Sequence, residues 1–221
     1  MTAPKKIITV FLFLFACSLQ NALAQAFKED IISFKKQDSI HFPARNAVLL
    51  VGSSSFTKWT DVQNYFPGIK IINRGFGGSS LPDVIRYADD IIFPYHPKQI
   101  VIYCGENDLA ANDTVSAQMV YQRFKELFLI IRKKMPWVPV AFVSLKPSPS
   151  RKHLWPKMVT ANQLIKNYLT TKRKTAFIDV YHKMFNKDGT VMKDIFIEDD
   201  LHMNAKGYAI WQKAMKPYLV K

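Results

Sequence analysis

The chain has 221 residues, 48% of them hydrophobic, and a formal net charge of +14 at pH 7. This length suits one domain with a substantial core, since single cores extend to roughly 250 residues. A basic protein can bind nucleic acid or anionic surfaces, but the positive residues here are scattered. The two basic clusters end predicted helices, where cations favour the helix dipole: Lys133-Lys134 and Lys172-Arg173-Lys174. No nucleic-acid partner is therefore predicted.

The first residues have the pattern of a secretory signal peptide. Lys5-Lys6 precede an apolar run from Ile7 to Ala16, and a small-residue cleavage site follows at Ala22-Leu23-Ala24. A membrane span would need about 20 apolar residues, so this run is too short. We expect cleavage of residues 1–24, which leaves one domain, residues 25–221. Its net charge is +12, because two lysines leave without an acid. The protein is expected to be secreted or periplasmic.

The two cysteines support no disulfide. Leu14-Phe15-Ala16-Cys17 resembles a bacterial lipoprotein box, but the bulky Phe15 favours simple export over lipid anchoring at Cys17. With Cys17 removed, Cys104 has no partner within the chain and is expected to be a small buried hydrophobe. Four histidines have no second ligand at metal-site spacing, so no metal site is predicted: His41, His96, His153 and His182.

Strand-like and helical patterns alternate along the rest of the chain. Five short runs rich in Val, Ile and Phe predict buried parallel strands: Val48–Val51, Ile69–Asn73, Gln99–Tyr103, Val138–Ser144 and Thr175–Val180. Amphipathic patterns between and around them predict helices: Asp30–Lys36, Phe56–Tyr65, Val115–Met135, Pro156–Lys172 and a last one after Asn204.

This alternation predicts a three-layer α/β domain with a parallel sheet between helices. The longest irregular stretch, Lys146–Trp155, is rich in Pro and Ser and is expected to be a loop at the carboxyl edge of the sheet. Ligands bind at that edge in open α/β sheets.

A serine-rich turn follows the first predicted strand. Gly52-Ser53-Ser54-Ser55 leads directly into a predicted helix, which would hold the Ser54 hydroxyl at the sheet edge near the positive helix end. Ser54 is therefore a candidate nucleophile. The alternative is that these serines only cap the helix, as Ser commonly does.

A carboxylate and a histidine lie close together near the C-terminus. Asp199 precedes His202 by three residues, so a short turn could hold the carboxylate against Nδ1 and leave Nε2 for Ser54. Asp200 could equally be the partner. The alternative is a surface aspartate beside a histidine that caps the last helix.

Two further segments supply candidate donors for an oxyanion. Gly78 ends the glycine-rich turn 73–78, and Asn107 lies in Gly105-Glu106-Asn107-Asp108 after the third strand. With the Ser54 N–H, a glycine N–H and the asparagine amide could bind one oxygen. The glycines alternatively form only a tight turn. A dinucleotide-binding loop is a poor interpretation, since the third glycine is missing and the turn follows the second strand.

Together these segments resemble the SGNH (GDSL-like) hydrolase family of serine esterases and lipases, over Val48 through about Tyr218. The resemblance implies a flavodoxin-like sheet of order 2-1-3-4-5, no metal and no organic cofactor. It also implies that the four residues after which the family is named are here Ser54, Gly78, Asn107 and His202, and that Asp199 is the orienting acid. Gly105–Asp108 and Asp199–Tyr208 carry it most specifically.

The chain departs from the family pattern at its first block, where Ser53 replaces the usual aspartate. The segments 73–78 and 144–151 also resemble the lysophospholipase- and acetylhydrolase-like branch. Arg74, Lys146 and Arg151 are candidates for substrate binding, and the last two, placed near the mouth, would favour anionic esters. The alternative is that Lys146 and Arg151 only belong to a solvated loop.

The sequence therefore predicts an exported carboxylic-ester hydrolase acting on acylated lipids or acetylated sugars. Two alternatives remain open: an acyltransferase to envelope sugars on the same fold, and a non-catalytic carbohydrate-binding module. The sequence makes no prediction of the oligomeric state.

Overall fold

The computed structural model describes residues 26–220. The predicted signal segment 1–24, with Cys17, lies outside the described residues. Within them, the strands are β1 Val48–Gly52, β2 Ile71–Gly75, β3 Gln99–Tyr103, β4 Val140–Val143 and β5 Thr175–Ile178. The helices are α1 Lys28–Ile40, α2 Ser54–Thr57, α3 Val62–Tyr65, α4 Leu81–Arg86, α5 Ala88–Ile91, α6 Glu106–Ala111, α7 Ala117–Lys134, α8 Trp155–Thr170 and α9 Ala205–Met215. Short 3₁₀ segments are Phe93–Tyr95, Pro149–Leu154, His182–Met184, Lys193–Ile195 and Lys216–Tyr218.

The strands form one parallel sheet in the order β2-β1-β3-β4-β5, which confirms the predicted architecture. The register brings three strand ends level, since Gly52 pairs with Gly75 on one side and Tyr103 on the other. The segments that follow β1, β2 and β3 therefore leave the sheet side by side at its carboxyl edge.

Both faces of the sheet are covered, as the nearly continuous apolar strands require. Residues alternate between the faces with the period of two that a strand imposes. Leu49 and Val51 pack into the core beneath α1, α4, α7 and α8. Val48 and Leu50 pack into the opposite core, which contains Trp211 of α9. In the part of the chain that the structure describes, no helix is long and apolar enough to cross a membrane.

Several predicted element bounds differ from the structure, among them those of one helix and of the second strand. The helix predicted over Phe56–Tyr65 is broken into α2 and α3, because the fully buried Trp59 lies in a turn between them. The second strand begins two residues late, at Ile71, because Ile69 is held in a turn. The side-chain amide of Gln63 donates to the Ile69 carbonyl at 2.9 Å and accepts from the Ile71 N–H at 3.0 Å.

Candidate active site

The candidate residues lie at the carboxyl edge of the sheet because each one follows a different strand. Ser54 comes directly after β1, the glycine turn after β2 and Asn107 after β3. A Cβ added to Gly77 would lie only 3.9 Å from the Ser54 Cβ, so the turn is immediately beside that serine. His202 reaches Ser54 from the segment before α9, 148 residues away in sequence.

Ser54, His202 and Asp199 form a continuous hydrogen-bonded chain. His202 Nε2 lies 2.9 Å from Ser54 Oγ, and His202 Nδ1 lies 2.5 Å from Asp199 Oδ2. An ionised carboxylate can only accept, so Nδ1 donates to Asp199. In the neutral imidazole, Nε2 is then left as an acceptor for the Ser54 hydroxyl proton. The His202 side chain is 14% exposed, so the imidazole is mostly buried but still reaches solvent.

The geometry distinguishes between the two aspartates left open by the sequence. Asp199 Oδ1 accepts from the backbone N–H groups of Leu201 at 2.9 Å and His202 at 2.8 Å, while Oδ2 accepts from the ring. Asp200 has a left-handed backbone with φ 52°, and its carbonyl accepts from the N–H and hydroxyl of Ser150. Asp200 thus fixes the turn through its backbone, and its carboxylate is not the group against the imidazole.

The hydrogen bonds to Asp199 also set its protonation state. Partial desolvation would raise the pKa of Asp199, but the bonds from the His202 ring and from two backbone N–H groups outweigh it and lower the pKa to about 2. Asp199 is therefore ionised at pH 4 and above. A loss of activity between neutral pH and pH 4 would not arise from protonation of this carboxylate.

A second Asp-x-x-His motif shows that the local turn is not sufficient for a site. His182 Nδ1 lies 2.7 Å from Asp179 Oδ2, and the His182 N–H also bonds that carboxylate, as at residue 202. However, the His182 side chain is 76% exposed. Among residues 26–220 no hydroxyl is hydrogen-bonded to its Nε2. What distinguishes His202 is the contact with Ser54.

Two of the three predicted oxyanion donors, the Ser54 N–H and the Asn107 amide, point toward one atom. The Ser54 N–H donates to Ser53 Oγ at 2.6 Å, and Asn107 Nδ2 donates to the same oxygen at 3.0 Å. An oxygen at this position therefore lies within hydrogen-bond distance of both donors. Gly78 lies in the adjacent turn with φ 85°, a left-handed conformation that favours glycine.

Buried bonds fix the glycine turn relative to Asn107. Asn107 Nδ2 also donates to the Ser79 carbonyl at 2.9 Å, and Ser79 Oγ donates to the Gly52 carbonyl at 3.1 Å. Asp108, 1% exposed, accepts from the Leu81 N–H at 2.9 Å and pairs with Arg123 at 2.8 Å. This structural role of Asp108 was not predicted from the sequence, although the residue directly follows Asn107.

Gly52 is required where β1 passes into the serine turn. Its φ is 137°, and a Cβ at this position would lie 1.9 Å from the backbone oxygen of Tyr103 on the neighbouring strand. Only glycine permits that close approach, which lets the chain turn sharply and bring Ser54 to the edge of the sheet.

Lys146 does not lie at the mouth of the site, so the sequence prediction is wrong in this respect. It is 1% exposed, and its Nζ lies 2.8 Å from Glu106 Oε2 in a buried ion pair. The Glu106 carboxylate also accepts from the hydroxyls of Tyr103 and Ser148. Burial would raise the pKa of Glu106, but Lys146 and the guanidinium of Arg151 outweigh it and hold the pKa below its usual range.

Arg74 is also not placed to bind substrate, which corrects the second of the three binding predictions. It is 7% exposed, pairs with Asp38 of α1 and donates to the Tyr95 hydroxyl at 2.7 Å. Its guanidinium lies 5.0 Å from the Phe34 ring. Arg74 therefore attaches α1 to the sheet on the side of the Leu49 core.

Arg151, the third predicted binding residue, does lie at the site. Its Nη2 donates to Asn107 Oδ1 at 2.8 Å, and its side chain is 17% exposed. It contacts the candidate machinery directly.

Within residues 26–220 no cluster of three or more His, Cys, Asp or Glu side chains could hold a metal ion. Cys104 is buried, as expected for a small hydrophobe.

Several solved structures share this fold. One is a Streptococcus pneumonia protein provisionally described as a platelet activating factor, with 19% identity, a TM-score of 0.77, and 94% of this chain and 99% of that chain covered. A GDSL-like lipase from Bacteroides thetaiotaomicron has 18% identity and a TM-score of 0.72, covering 85% and 95%. A family 3 carbohydrate esterase from Clostridium thermocellum has 16% identity and a TM-score of 0.58, covering 79% and 96%. No protein of curated function matches the sequence significantly.

The sequence itself matches a family model over residues 45–210, which spans β1 through most of α9 and includes every candidate residue described above. The match covers most of the chain and agrees with the sheet order and with the folds of the neighbouring structures. The chain belongs to the GDSL-like lipase/acylhydrolase family and is accordingly a carboxylic-ester hydrolase.

Proposed function

We propose that the protein is an exported serine esterase in which Ser54 is the nucleophile, His202 the general base and Asp199 the group that orients the base. One observation carries the proposal. The hydroxyl, imidazole and carboxylate are joined by contacts of 2.9 and 2.5 Å, although they come from opposite ends of the chain. This is the arrangement that activates an otherwise weak hydroxyl nucleophile.

In the acylation step, Ser54 Oγ attacks the acyl carbon as its proton passes to His202 Nε2. The new C–O bond converts the carbonyl into a tetrahedral oxyanion. Asp199 stabilises the imidazolium through its bond to Nδ1. When the intermediate collapses, the ester C–O bond breaks and Nε2 returns the proton to the leaving alcohol. The acyl group is then bonded to Ser54.

The oxyanion is stabilised by the Ser54 N–H and the Asn107 amide, with the Gly78 N–H as the third donor. The first two donate to the Ser53 hydroxyl in the resting structure. In the oxyanion state, the ester oxygen takes the place of Ser53 Oγ as the acceptor of these two N–H groups. Removing one such donor typically costs on the order of 10²–10³ in kcat.

Deacylation repeats these roles with water in place of serine. His202 Nε2 takes a proton from the water, whose oxygen attacks the acyl carbon. Collapse then breaks the bond to Ser54 Oγ, which recovers its proton from Nε2. The net reaction is ester plus water to acid plus alcohol, with no cofactor.

For the substrate, we propose short acyl esters of carbohydrates. A cavity of about 530 Å³ lies beside the turn that carries Asp199 and His202, and its lining includes Asp200, Trp155, Lys152, Lys193 and Thr190. These side chains offer hydrogen-bond donors and an aromatic surface to a polar alcohol. The carbohydrate esterase among the structural neighbours also supports this choice. Export rests on the signal-like pattern of residues 1–24.

The purified protein should release acetate from acetylated sugars and from a short-chain aryl ester faster than it releases fatty acid from lysophospholipids. Acid release with the free alcohol as the second product supports hydrolysis. If acetate instead appears on an added sugar acceptor, the protein is a transferase. A preference for lysophospholipids would contradict the substrate class but leave esterase activity intact.

A further inference from the structure

We propose that Arg151 is a positioning residue that fixes the orientation of the Asn107 side-chain amide, so that the amide presents its N–H groups to the oxyanion. This inference rests on the proposed function of the same site. It also replaces the role in substrate binding that the sequence suggested for this arginine.

The neighbours of Asn107 leave only one orientation of its amide. On one side, Arg151 Nη2 lies 2.8 Å away, and a guanidinium can only donate. On the other side, the Ser79 carbonyl lies 2.9 Å away, and a carbonyl can only accept. The atom facing Arg151 is therefore Oδ1 and the atom facing Ser79 is Nδ2. Turning the amide over would place two donors against each other and two acceptors against each other.

Without Arg151, only the Ser79 carbonyl and the Ser53 hydroxyl would define the amide orientation. The hydroxyl does not discriminate, because it can both donate and accept. Arg151 supplies a charged donor to the amide oxygen, which a hydroxyl and a carbonyl do not. Its positive charge on Oδ1 also draws electron density from Nδ2, which makes the N–H groups stronger donors to a developing negative charge.

Two sets of contacts hold Arg151 in place, one to its guanidinium from Glu106 and one through the backbone and hydroxyl of its neighbour Ser150. Its Nη1 lies 3.8 Å from Glu106 Oε1, and that carboxylate is itself anchored by Lys146 at 2.8 Å and Ser148 at 3.1 Å. The preceding residue, Ser150, donates from both its N–H and its hydroxyl to the Asp200 carbonyl. The segment that carries Arg151 is therefore bonded to the turn that carries His202.

These contacts couple the two halves of the site. The buried pair of Glu106 and Lys146 is neutral in sum, so Arg151 contributes one net positive charge beside the proposed oxyanion position. With its guanidinium engaged by Asn107 and 17% of the side chain exposed, Arg151 has little surface left for a substrate group. A positioning role and a substrate-binding role predict different kinetics.

The test is a double-mutant cycle with Arg151→Ala, Asn107→Ala and the double variant, assayed on a neutral and an anionic aryl ester. We expect Asn107→Ala to lower kcat by about 10²–10³-fold. Arg151→Ala should lower kcat by about 10–10²-fold on both esters, with KM within about twofold. The double variant should be no slower than Asn107→Ala, because Arg151 acts through that amide. His153→Ala, an exposed residue in the same 3₁₀ segment that does not line the substrate cavity, is the matched control and should retain wild-type kcat.

Other results would overturn the proposal. Multiplicative losses in the double variant would show that Arg151 acts independently of Asn107. A rise in KM confined to the anionic ester would show that Arg151 binds substrate. Thermal unfolding checks the fold, and Arg151→Met, which keeps the aliphatic stem, takes the place of Arg151→Ala if that variant does not fold. If wild-type activity does not depend on Ser54, the proposed function fails before this cycle is interpreted. If it does depend on Ser54 and the losses multiply, only the role of Arg151 fails.

Discussion

Replacing Ser54 by alanine should lower kcat on a short-chain aryl ester by on the order of 10⁴–10⁶-fold, with little change in KM. His202 Nε2 contacts Ser54 Oγ at 2.9 Å. Among residues 26–220 no other hydroxyl is hydrogen-bonded to this nitrogen, so no other side chain can replace the nucleophile. The remaining rate would come from the oxyanion donors acting on water. Steady-state kinetics with freshly purified variant measure the loss.

The matched control for this variant is Ser55→Ala. Ser55 belongs to the same serine turn but is 1% exposed, so a substrate cannot reach its hydroxyl. Its replacement should leave kcat within about threefold of wild type. Equal losses in both variants would indicate damage to the turn, and retained activity in Ser54→Ala would contradict the assignment of the nucleophile.

Replacing Asp199 by asparagine should lower kcat by on the order of 10⁴-fold while the protein stays folded. Asp199 fixes the imidazole with a proton on Nδ1, because its carboxylate only accepts. An asparagine amide can donate to Nδ1 instead, which moves the ring proton to Nε2. That nitrogen could then no longer accept the Ser54 proton. The expected effect falls on kcat, since residue 199 acts through its bond to the imidazole.

Asp200→Asn provides the comparison for the acid. The change removes the same charge one residue away, and asparagine tolerates the left-handed backbone at φ 52°. The Asp200 carbonyl that holds Ser150 is retained. Because Asp200 also lines the proposed substrate cavity, any effect should fall on KM, and kcat within about threefold of wild type is expected. If Asp200→Asn is the inactive variant and Asp199→Asn is not, the orienting acid has been assigned to the wrong residue.

The strands of the sheet could be predicted because each one is marked by a short apolar run in the local sequence. Each strand is an apolar run long enough to cross a buried layer, and β3 was predicted at its observed bounds, Gln99–Tyr103. The strand order came from resemblance to a family, because apolar runs in a parallel sheet look alike. The break between α2 and α3 was not predictable from periodicity, since it depends on where the Trp59 ring packs against Tyr208 and Trp211.

The candidate site could be predicted only as a set of residues. The motifs named Ser54, Asn107, Asp199 and His202, but the distances among them depend on strand register and on a contact spanning 148 residues of sequence. The choice between Asp199 and Asp200 depended on which one faces the ring. Both have the same chemistry, so only the local turn distinguishes them.

The charged residues around the site were the least predictable. Lys146 and Arg151 both follow β4 and both look like surface cations in the sequence. In the structure Lys146 turns inward to Glu106, while Arg151 lies over Asn107. No sequence pattern distinguishes a lysine that forms a buried ion pair, as Lys146 does with Glu106, from a lysine that faces solvent. The proline at 147 and the bond from Ser148 to Glu106 indicate that the segment is rigid, but its direction is set by tertiary contacts.

The most direct measurement is the site at which a fluorophosphonate probe attaches. Digestion after Arg45 and Lys58 gives a peptide containing Ser53, Ser54 and Ser55, and its fragment masses distinguish the three. We expect a stoichiometric adduct on Ser54 in the wild type, none in Ser54→Ala and much slower labelling in His202→Ala. An adduct on a different serine, or rapid ester turnover by a protein that the probe does not label, would contradict it.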